Sequence, residues 1–231
     1  MKAMIFAAGL GMRLRPITNT LPKALVEING VTLLERAIRH LREAGVHEVI
    51  VNVHHFAEQI VAFLRAQNNF NMRVEISHEE VLLDTGGGLK KAAWFFDDGQ
   101  PFIVHNADVL SRLELARMYR FHRERNALAT LAVKPRNTKR YLLFDKEGRL
   151  CGRTEVKSPL EGGFVGLSEN ARAALLAFDG IHVLSPAIFD LMHEAGAFSI
   201  IDTYLRLAAA GERILAFRTD EYYWRDVGKL E

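Results

Sequence analysis

The sequence predicts an α/β protein built on a doubly wound, mostly parallel mixed sheet with an inserted β-hairpin region. Three observations predict it. Short apolar runs recur along the first half, and such runs read as strands buried on both faces. Between them lie stretches with apolar residues at helical spacing, the alternation that builds parallel sheets. From Tyr141 to Cys151, two strand-like stretches flank a turn ending in Gly148, which reads as a hairpin.

Taken in order, Ala3 to Ala8 is the first buried strand, closed by Gly9. Leu33, Leu34, Ala37, Ile38 and Leu41 mark a helix that Gly45 stops. Glu48 to Val53 is a second strand, Ile60, Phe63 and Leu64 mark a second helix, and Met72 to Ser77 alternates as a third strand. A short helix at Leu89 to Phe96 leads to a fourth strand at Pro101 to His105. A helix at Leu113 to Arg123, a strand at Leu128 to Val133 and the hairpin follow. The mixed, glycine-containing stretch from Glu155 to Phe178 reads as loop with a short helix at Asn170 to Ala177. Gly180 to Leu184 is then a strand, Pro186 to His193 and Ile200 to Ala210 are helices, and Ile214 to Phe217 and Tyr222 to Trp224 are late strands. With no repeat or linker, one domain over residues 1–231 is the simplest organisation.

Composition excludes several classes. At 231 residues, with 49% hydrophobic and 25% charged, the chain can bury a substantial core and has neither a disordered nor a collagenous profile. Thirty basic residues against 28 acidic ones leave a formal charge of +2, too weak an excess to mark a nucleic-acid or anionic-membrane binder. The single cysteine, Cys151, cannot form an internal disulfide and fits a reducing cytoplasm. No apolar run approaches the ~18 residues of a membrane span, and Met1 to Phe6 is too short for a secretion signal.

Ligands of open α/β sheets bind beyond the carboxyl ends of the strands. After the first strand comes Ala7-Ala-Gly-Leu-Gly-Met-Arg-Leu-Arg-Pro16. Gly9 and Gly11 let backbone N–H groups approach a ligand, and Arg13 and Arg15 add positive charge, the makings of a phosphate cradle. The alternative is a tight strand-to-helix turn that uses glycine for geometry. The third glycine of the dinucleotide fingerprint would fall at Leu14, and no Gly-Lys-Ser/Thr follows. Lys23, in Leu21-Pro-Lys-Ala-Leu25, adds a compact charge in a loop narrowed by Pro22.

Taken together, these two stretches resemble the signature of the sugar-1-phosphate nucleotidylyltransferases, Ala-Ala-Gly-x-Gly-x-Arg-Leu-x-Pro followed by Pro-Lys-x-Leu. The resemblance is close over residues 1–35, and later landmarks occur in order. It implies a Rossmann-like nucleotide-diphospho-sugar transferase fold, with a nucleotide-binding half near residues 1–135 and a sugar-binding half near 136–231. It also implies that Ala8, Gly9, Leu10 and Gly11 bind the nucleotide and that Arg13 and Lys23 act on its triphosphate. Asp84-Thr-Gly-Gly-Gly-Leu89 resembles the family's nucleoside loop, placing Thr85, Gly86 and Gly87 under the base, with Glu80 near the position that reads it; outside the resemblance the run also reads as a glycine-rich helix N-terminus.

Asp108, in Val104-His-Asn-Ala-Asp108, and Asp226, in Trp224-Arg-Asp-Val-Gly228, match the family's two metal aspartates and imply Mg²⁺. Alone, an aspartate after a strand is more often a helix cap; two aspartates in two family motifs reverse that reading. Glu155-Val-Lys157 resembles the element that contacts the sugar and its phosphate, and Asp179 and Gly180 open a strand that lies near the sugar in relatives. Outside the resemblance, Glu155 and Lys157 also read as a solvated charge pair. Met12 replaces the family's usual Thr or Ser, and His105-Asn-Ala replaces the usual apolar-Gly lead into Asp108. Nine histidines invite a metal reading, but adjacent His54 and His55 point to opposite faces of an extended chain.

The implied partners are an NTP and a sugar 1-phosphate, joined with release of pyrophosphate. That chemistry asks for charge neutralisation and in-line placement and needs no enzyme nucleophile. Short N-acetylmuramate-1-phosphate uridylyltransferases and mannose-1-phosphate guanylyltransferase-like proteins are the most similar members. Alternatives are a nucleotidylyltransferase for a non-sugar phosphate such as choline phosphate, and a non-catalytic nucleotide-sugar-binding regulatory subunit.

Overall fold

The computed structural model describes residues 1–155 and 173–228. In chain order its elements are β1 (Lys2–Phe6), β2 (Glu27–Ile28), β3 (Val31–Thr32), α1 (Leu33–Glu43), β4 (Glu48–Val53), α2 (Ala57–Ala66) and β5 (Arg73–His78). There follow α3 (Asp84–Lys91), β6 (Phe102–Asn106), β7 (Val109–Ser111), α4 (Leu115–Glu124), β8 (Ala129–Lys134), β9 (Arg140–Phe144) and β10 (Leu150–Glu155). The last are β11 (Ala174–Leu184), α5 (Ile188–Leu191), α6 (Ile200–Ala209), β12 (Ile214–Arg218) and β13 (Trp224–Asp226).

The α/β architecture is the one the sequence predicts. Strands β5, β4, β1 and β6 lie side by side and parallel, so all four end on one edge of the sheet. β11 runs antiparallel to β6, β8 and β9, while β12 is parallel to β8. The apolar character of β1 follows from this central place: Ala3 and Ile5 face one core cluster and Met4 the other, all fully buried. Leu34, Ala37, Ile38 and Leu41 of α1 cover the first face, and Ile200, Tyr204 and Leu207 of α6 cover the second. Full burial of one such aliphatic side chain contributes roughly 1.5–3 kcal/mol.

Local signals set the helix ends. Thr32 caps α1 by accepting from Glu35 N at 3.1 Å, and Ser199 caps α6 by accepting from Ile201 N at 3.3 Å. β9 and β10 form the predicted hairpin, turning through Gly148 at φ 76°. No helix among the described residues is long and apolar enough to cross a membrane.

Five expectations need correction. The stretch from Asp84 to Leu89, a loop by the resemblance, takes its other form, a glycine-rich helix start, and is the body of α3, and the helix drawn to Phe96 gives way to a 3-10 turn at Ala93–Phe95. The helix expected at Asn170 to Ala177 is, from Ala174 onward, the start of β11; residues 170–172 lie outside the described residues. Pairing with β9 on one side and β8 on the other overrides the helical preference of its alanines and leucines. The helix expected over Pro186 to His193 shortens to α5. The late strand read at Tyr222 to Trp224 begins instead at Trp224, as β13 paired with β7.

Candidate active site

The parallel strands end at Phe6, Val53, His78 and Asn106, and the segments that follow the first, third and fourth of these ends, with Asn52 of β4, line a cavity of about 620 Å³. That is within the usual range for a small-molecule site. Residues 7–13, Lys23, Asn52, Glu79, Thr85 and Asp108 all contribute to its wall.

The two glycines of the first loop have different tasks. Gly11 adopts φ 65°, and a Cβ there would lie 2.9 Å from Thr18 Cγ2; the Thr18 hydroxyl donates to Gly11 O at 2.8 Å. Glycine is thus required by conformation and contact alike. At Gly9 a Cβ would meet nothing within 4 Å, although the residue lines the cavity. Its missing side chain leaves room for a ligand rather than for protein.

Charged side chains from separate segments gather in two groups, Lys23 with Asp108 and Arg13 with Asp226 beside Gly228. Lys23 Nζ pairs with Asp108 Oδ2, with side-chain exposures of 13% and 25%. Asp108 follows β6, whose end is held by Ala107 N donating to Phe6 O at 3.1 Å. The β7–β13 ribbon sets Asp226 opposite Val109, and Val227 N donates to Asp108 O at 3.0 Å. The two aspartates therefore occupy adjoining positions across one ribbon. A Cβ on Gly228 would lie 2.6 Å from Asp226 Oδ1 and 2.8 Å from Arg13 Nη2, so Arg13 and Asp226 both lie against Gly228, which lines the cavity with Lys23 and Asp108.

Other residues singled out in the sequence are placed differently. Ala8 and Leu10 line the cavity with the glycines. Thr85 also lines it, and its Oγ1 accepts from Ile200 N at 3.0 Å, tying the start of α3 to the start of α6. Gly86 and Gly87 face protein instead: a Cβ would lie 2.3 Å from the Phe198 ring and 2.3 Å from Gly196 O. Close packing against the 196–198 loop accounts for these glycines. Glu80 is exposed, and its neighbour Glu79 borders the cavity.

Asp179 is 2% exposed. It accepts from Thr219 Oγ1 at 2.5 Å and from Arg136 Nε at 3.4 Å, while Trp224 Nε1 donates to its carbonyl at 2.8 Å. Burial pushes its carboxyl pKa up, and the Thr219 hydrogen bond and the Arg136 charge pull it back. Gly180 bends β11 at φ 78° with its Cα against Asn106; a Cβ would lie 2.8 Å from Asn106 Nδ2. Glu155 ends β10 opposite Arg140, and Lys157 lies outside the described residues.

Among the histidines, His54 Nδ1 donates to Glu79 O at 2.8 Å. Burial lowers the pKa of His105 and His182 to about 3. Among the described residues no group of three potential metal-ligating His, Cys, Asp or Glu side chains occurs.

Sequence reasoning passed over Asn52, Glu79 and Arg136. Asn52 carried a signal, as a polar residue inside an otherwise apolar strand end. Arg136 lies 4.0 Å above the Trp224 ring and donates to Phe178 O at 2.8 Å, contacts that only the tertiary fold creates.

Cations suited to phosphate and carboxylates suited to a divalent ion thus meet over one cavity at the carboxyl edge of the sheet, where α/β proteins bind nucleotides. The chain belongs to the nucleotidyl transferase family, whose sequence pattern matches residues 2–231. It is 33% identical to a mannose-1-phosphate guanyltransferase of Yarrowia lipolytica over 99% of this chain and 61% of that protein. It is also 33% identical to an N-acetylmuramate alpha-1-phosphate uridylyltransferase of Caulobacter vibrioides, over 98% of this chain and 91% of the relative. The chain thus spans about three-fifths of the length of the first of these relatives. A crystal structure of UDP-glucose pyrophosphorylase complexed with UDP-glucose shares the fold, with TM-score 0.80, 20% identity, and coverage of 99% and 93% of the two chains.

Proposed function

We propose that this protein transfers a nucleotidyl group from an NTP to a sugar 1-phosphate, giving an NDP-sugar and pyrophosphate. One observation carries the reading: Arg13, Lys23 and Asp108 line a nucleotide-sized cavity walled by the glycine loop, and Asp226 adjoins it through Gly228. Membership of the family and the names of the relatives support it.

In this reading the α-phosphate lies beside Lys23 and the glycine loop. An anionic oxygen of the sugar phosphate attacks the α-phosphorus, and the bond from that phosphorus to the pyrophosphate oxygen breaks. The electron pair leaves with pyrophosphate. The attacking oxygen is already ionised at neutral pH, so no general base is required, and the task of the protein is alignment and charge neutralisation. Arg13 and Lys23 serve the triphosphate. Lys157, with Glu155, serves the sugar phosphate.

The donor set fits a hard divalent cation. Asp108 and Asp226 offer oxygen ligands from adjoining ribbon positions, and Asp108 already stabilises a positive charge, that of Lys23. These two carboxylates would hold Mg²⁺, which commonly takes one or two protein carboxylates plus waters and phosphate oxygens. When bound, the ion supplies further neutralisation of the polyphosphate.

The relatives' names include both guanyl and uridylyl transfer, so the test spans bases as well as sugars. Pyrophosphate release is measured for the four common ribonucleoside triphosphates and dTTP against a panel of sugar 1-phosphates, with choline phosphate as the non-sugar acceptor. Release that depends on both an NTP and a sugar 1-phosphate is expected. Folded protein that releases none with any pair, or that uses only the non-sugar acceptor, would sink the reading.

A further inference from the structure

Beneath the cavity, two of its walls are joined by a chain of hydrogen bonds with a fixed polarity. At one end Ala7 N, where the glycine loop begins, donates to Asn52 Oδ1 at 2.8 Å. In the middle Asn52 Nδ2 donates to Glu79 Oε1 at 2.7 Å. At the other end Leu83 N, just before α3, donates to Glu79 Oε2 at 2.9 Å. Asn52 is 3% exposed and Glu79 1% exposed. Gly88 makes room for them, since a Cβ there would lie 2.5 Å from Glu79 Oε1 and 2.9 Å from Asn52 Nδ2.

Both ends of this chain are backbone N–H groups, which only donate. The two side chains between them must therefore accept at both outer positions and still donate once to each other. Two ionised carboxylates fail, because acceptor would face acceptor. Two amides also fail: however they flip, one NH₂ faces another donor, either a backbone N–H or the other NH₂. One amide and one carboxylate succeed, and they succeed in either order. A buried partner left unpaired costs about 1–3 kcal/mol, enough to disfavour the failing combinations.

We propose that Asn52 and Glu79 are positioning residues of the nucleotide subsite. They hold the glycine loop, through Ala7, and the Leu83–Thr85 segment, through Leu83, at the separation a nucleotide requires. The inference rests on the reading that this cavity takes an NTP, and it adds that the spacing of its walls is set by hydrogen-bond polarity rather than by packing alone.

The experiment compares Asn52→Asp, Glu79→Gln and the double variant N52D/E79Q. Each single change is nearly isosteric and creates one like-facing contact. The double variant restores all three hydrogen bonds with the middle one reversed, at unchanged net charge. Affinity is measured calorimetrically with ATP, GTP, CTP, UTP and dTTP in turn, each with Mg²⁺, alongside thermal melting and pyrophosphate release.

Each single variant is expected to weaken binding of the preferred NTP by about tenfold or more, and the double variant to return within about threefold of the parent. Folded single variants with parental affinity would overturn the proposal. So would a double variant that recovers its melting temperature without recovering affinity, because the residues would then act by another route. If the single variants fail to fold, the double variant decides alone by the same threefold criterion. NTP binding without pyrophosphate release would sink the transfer reading and leave this comparison intact, whereas a parent protein that binds none of the five would overturn both.

Discussion

The two halves of the sheet place their functional residues by different means. In the first half, four parallel strands end on one edge, and the glycine loop, Asn52, Glu79 and Asp108 lie at or just beyond those ends. In the second half most pairings are antiparallel, β12 on β8 being parallel. There Asp179 and Gly180 sit at an irregularity within β11, and Asp226 lies on a three-residue strand paired with β7 far away in sequence. Parallel topology assembles a site from strand ends, whereas the antiparallel part contributes through bends and long-range pairing.

The largest effects are expected where the halves meet the triphosphate. Lys23→Ala and Asp108→Asn should each lower turnover on the order of 10²-fold or more with little change in melting temperature. Near-normal turnover in both would remove the Lys23–Asp108 pair from the mechanism.

The seam between the halves, where β6 pairs with β11, carries His105 and His182, and His122 is buried nearby on α4. Burial lowers their pKa values to about 3, 3 and 4. The unfolded chain, with histidines near 6.5, takes up protons first as pH falls, so this stability is fully present above that value and is lost as pH falls toward about 4 for His122 and about 3 for His105 and His182. By pH 5 each histidine should cost about 2 kcal/mol of stability. Urea unfolding at pH 7.5 and pH 5 checks this, and an unchanged or higher midpoint at pH 5 would contradict it.

A glycine pair sharpens the comparison further. Gly87→Ala, whose Cβ would press on Gly196 O, should destabilise the protein by about 1–3 kcal/mol. Gly9→Ala has open space and should leave the melting temperature nearly unchanged while weakening NTP binding. The reverse pattern would exchange the two glycines' assigned tasks.

The smallest effect is expected in the second half. Arg136→Ala should raise the KM for sugar 1-phosphate by roughly fivefold, about 1 kcal/mol, with the NTP KM little changed. An equal rise in both would show that the Arg136–Trp224 cluster supports the whole site rather than its sugar side.

Legibility in the sequence follows the same division. Buried parallel strands announce themselves as apolar runs, and their loops carry motif residues in consecutive order, so Gly9, Gly11, Lys23 and Asp108 could be named before the structure. The β2–β3 hairpin went unread although Asn29-Gly30 is a strong turn signal; its φ angles are 51° and 72°. The start of β11 was illegible because Ala174 to Ala177 is extended only through its neighbours β9 and β8. Glu79 and Glu80 could not be separated by spacing alone, since their opposite exposures depend on the turn after β5.

The central claim is that an oxygen of a sugar 1-phosphate attacks the α-phosphorus of an NTP in the cavity beneath the glycine loop. Phosphorus NMR of a reaction with phosphate-¹⁸O-labelled sugar 1-phosphate tests it most directly. The account predicts that all of the label enters the nucleotide sugar, including its phosphorus-bridging oxygen, while the pyrophosphate stays unlabelled. Label in pyrophosphate, or no nucleotide sugar from folded protein with any NTP, would contradict it.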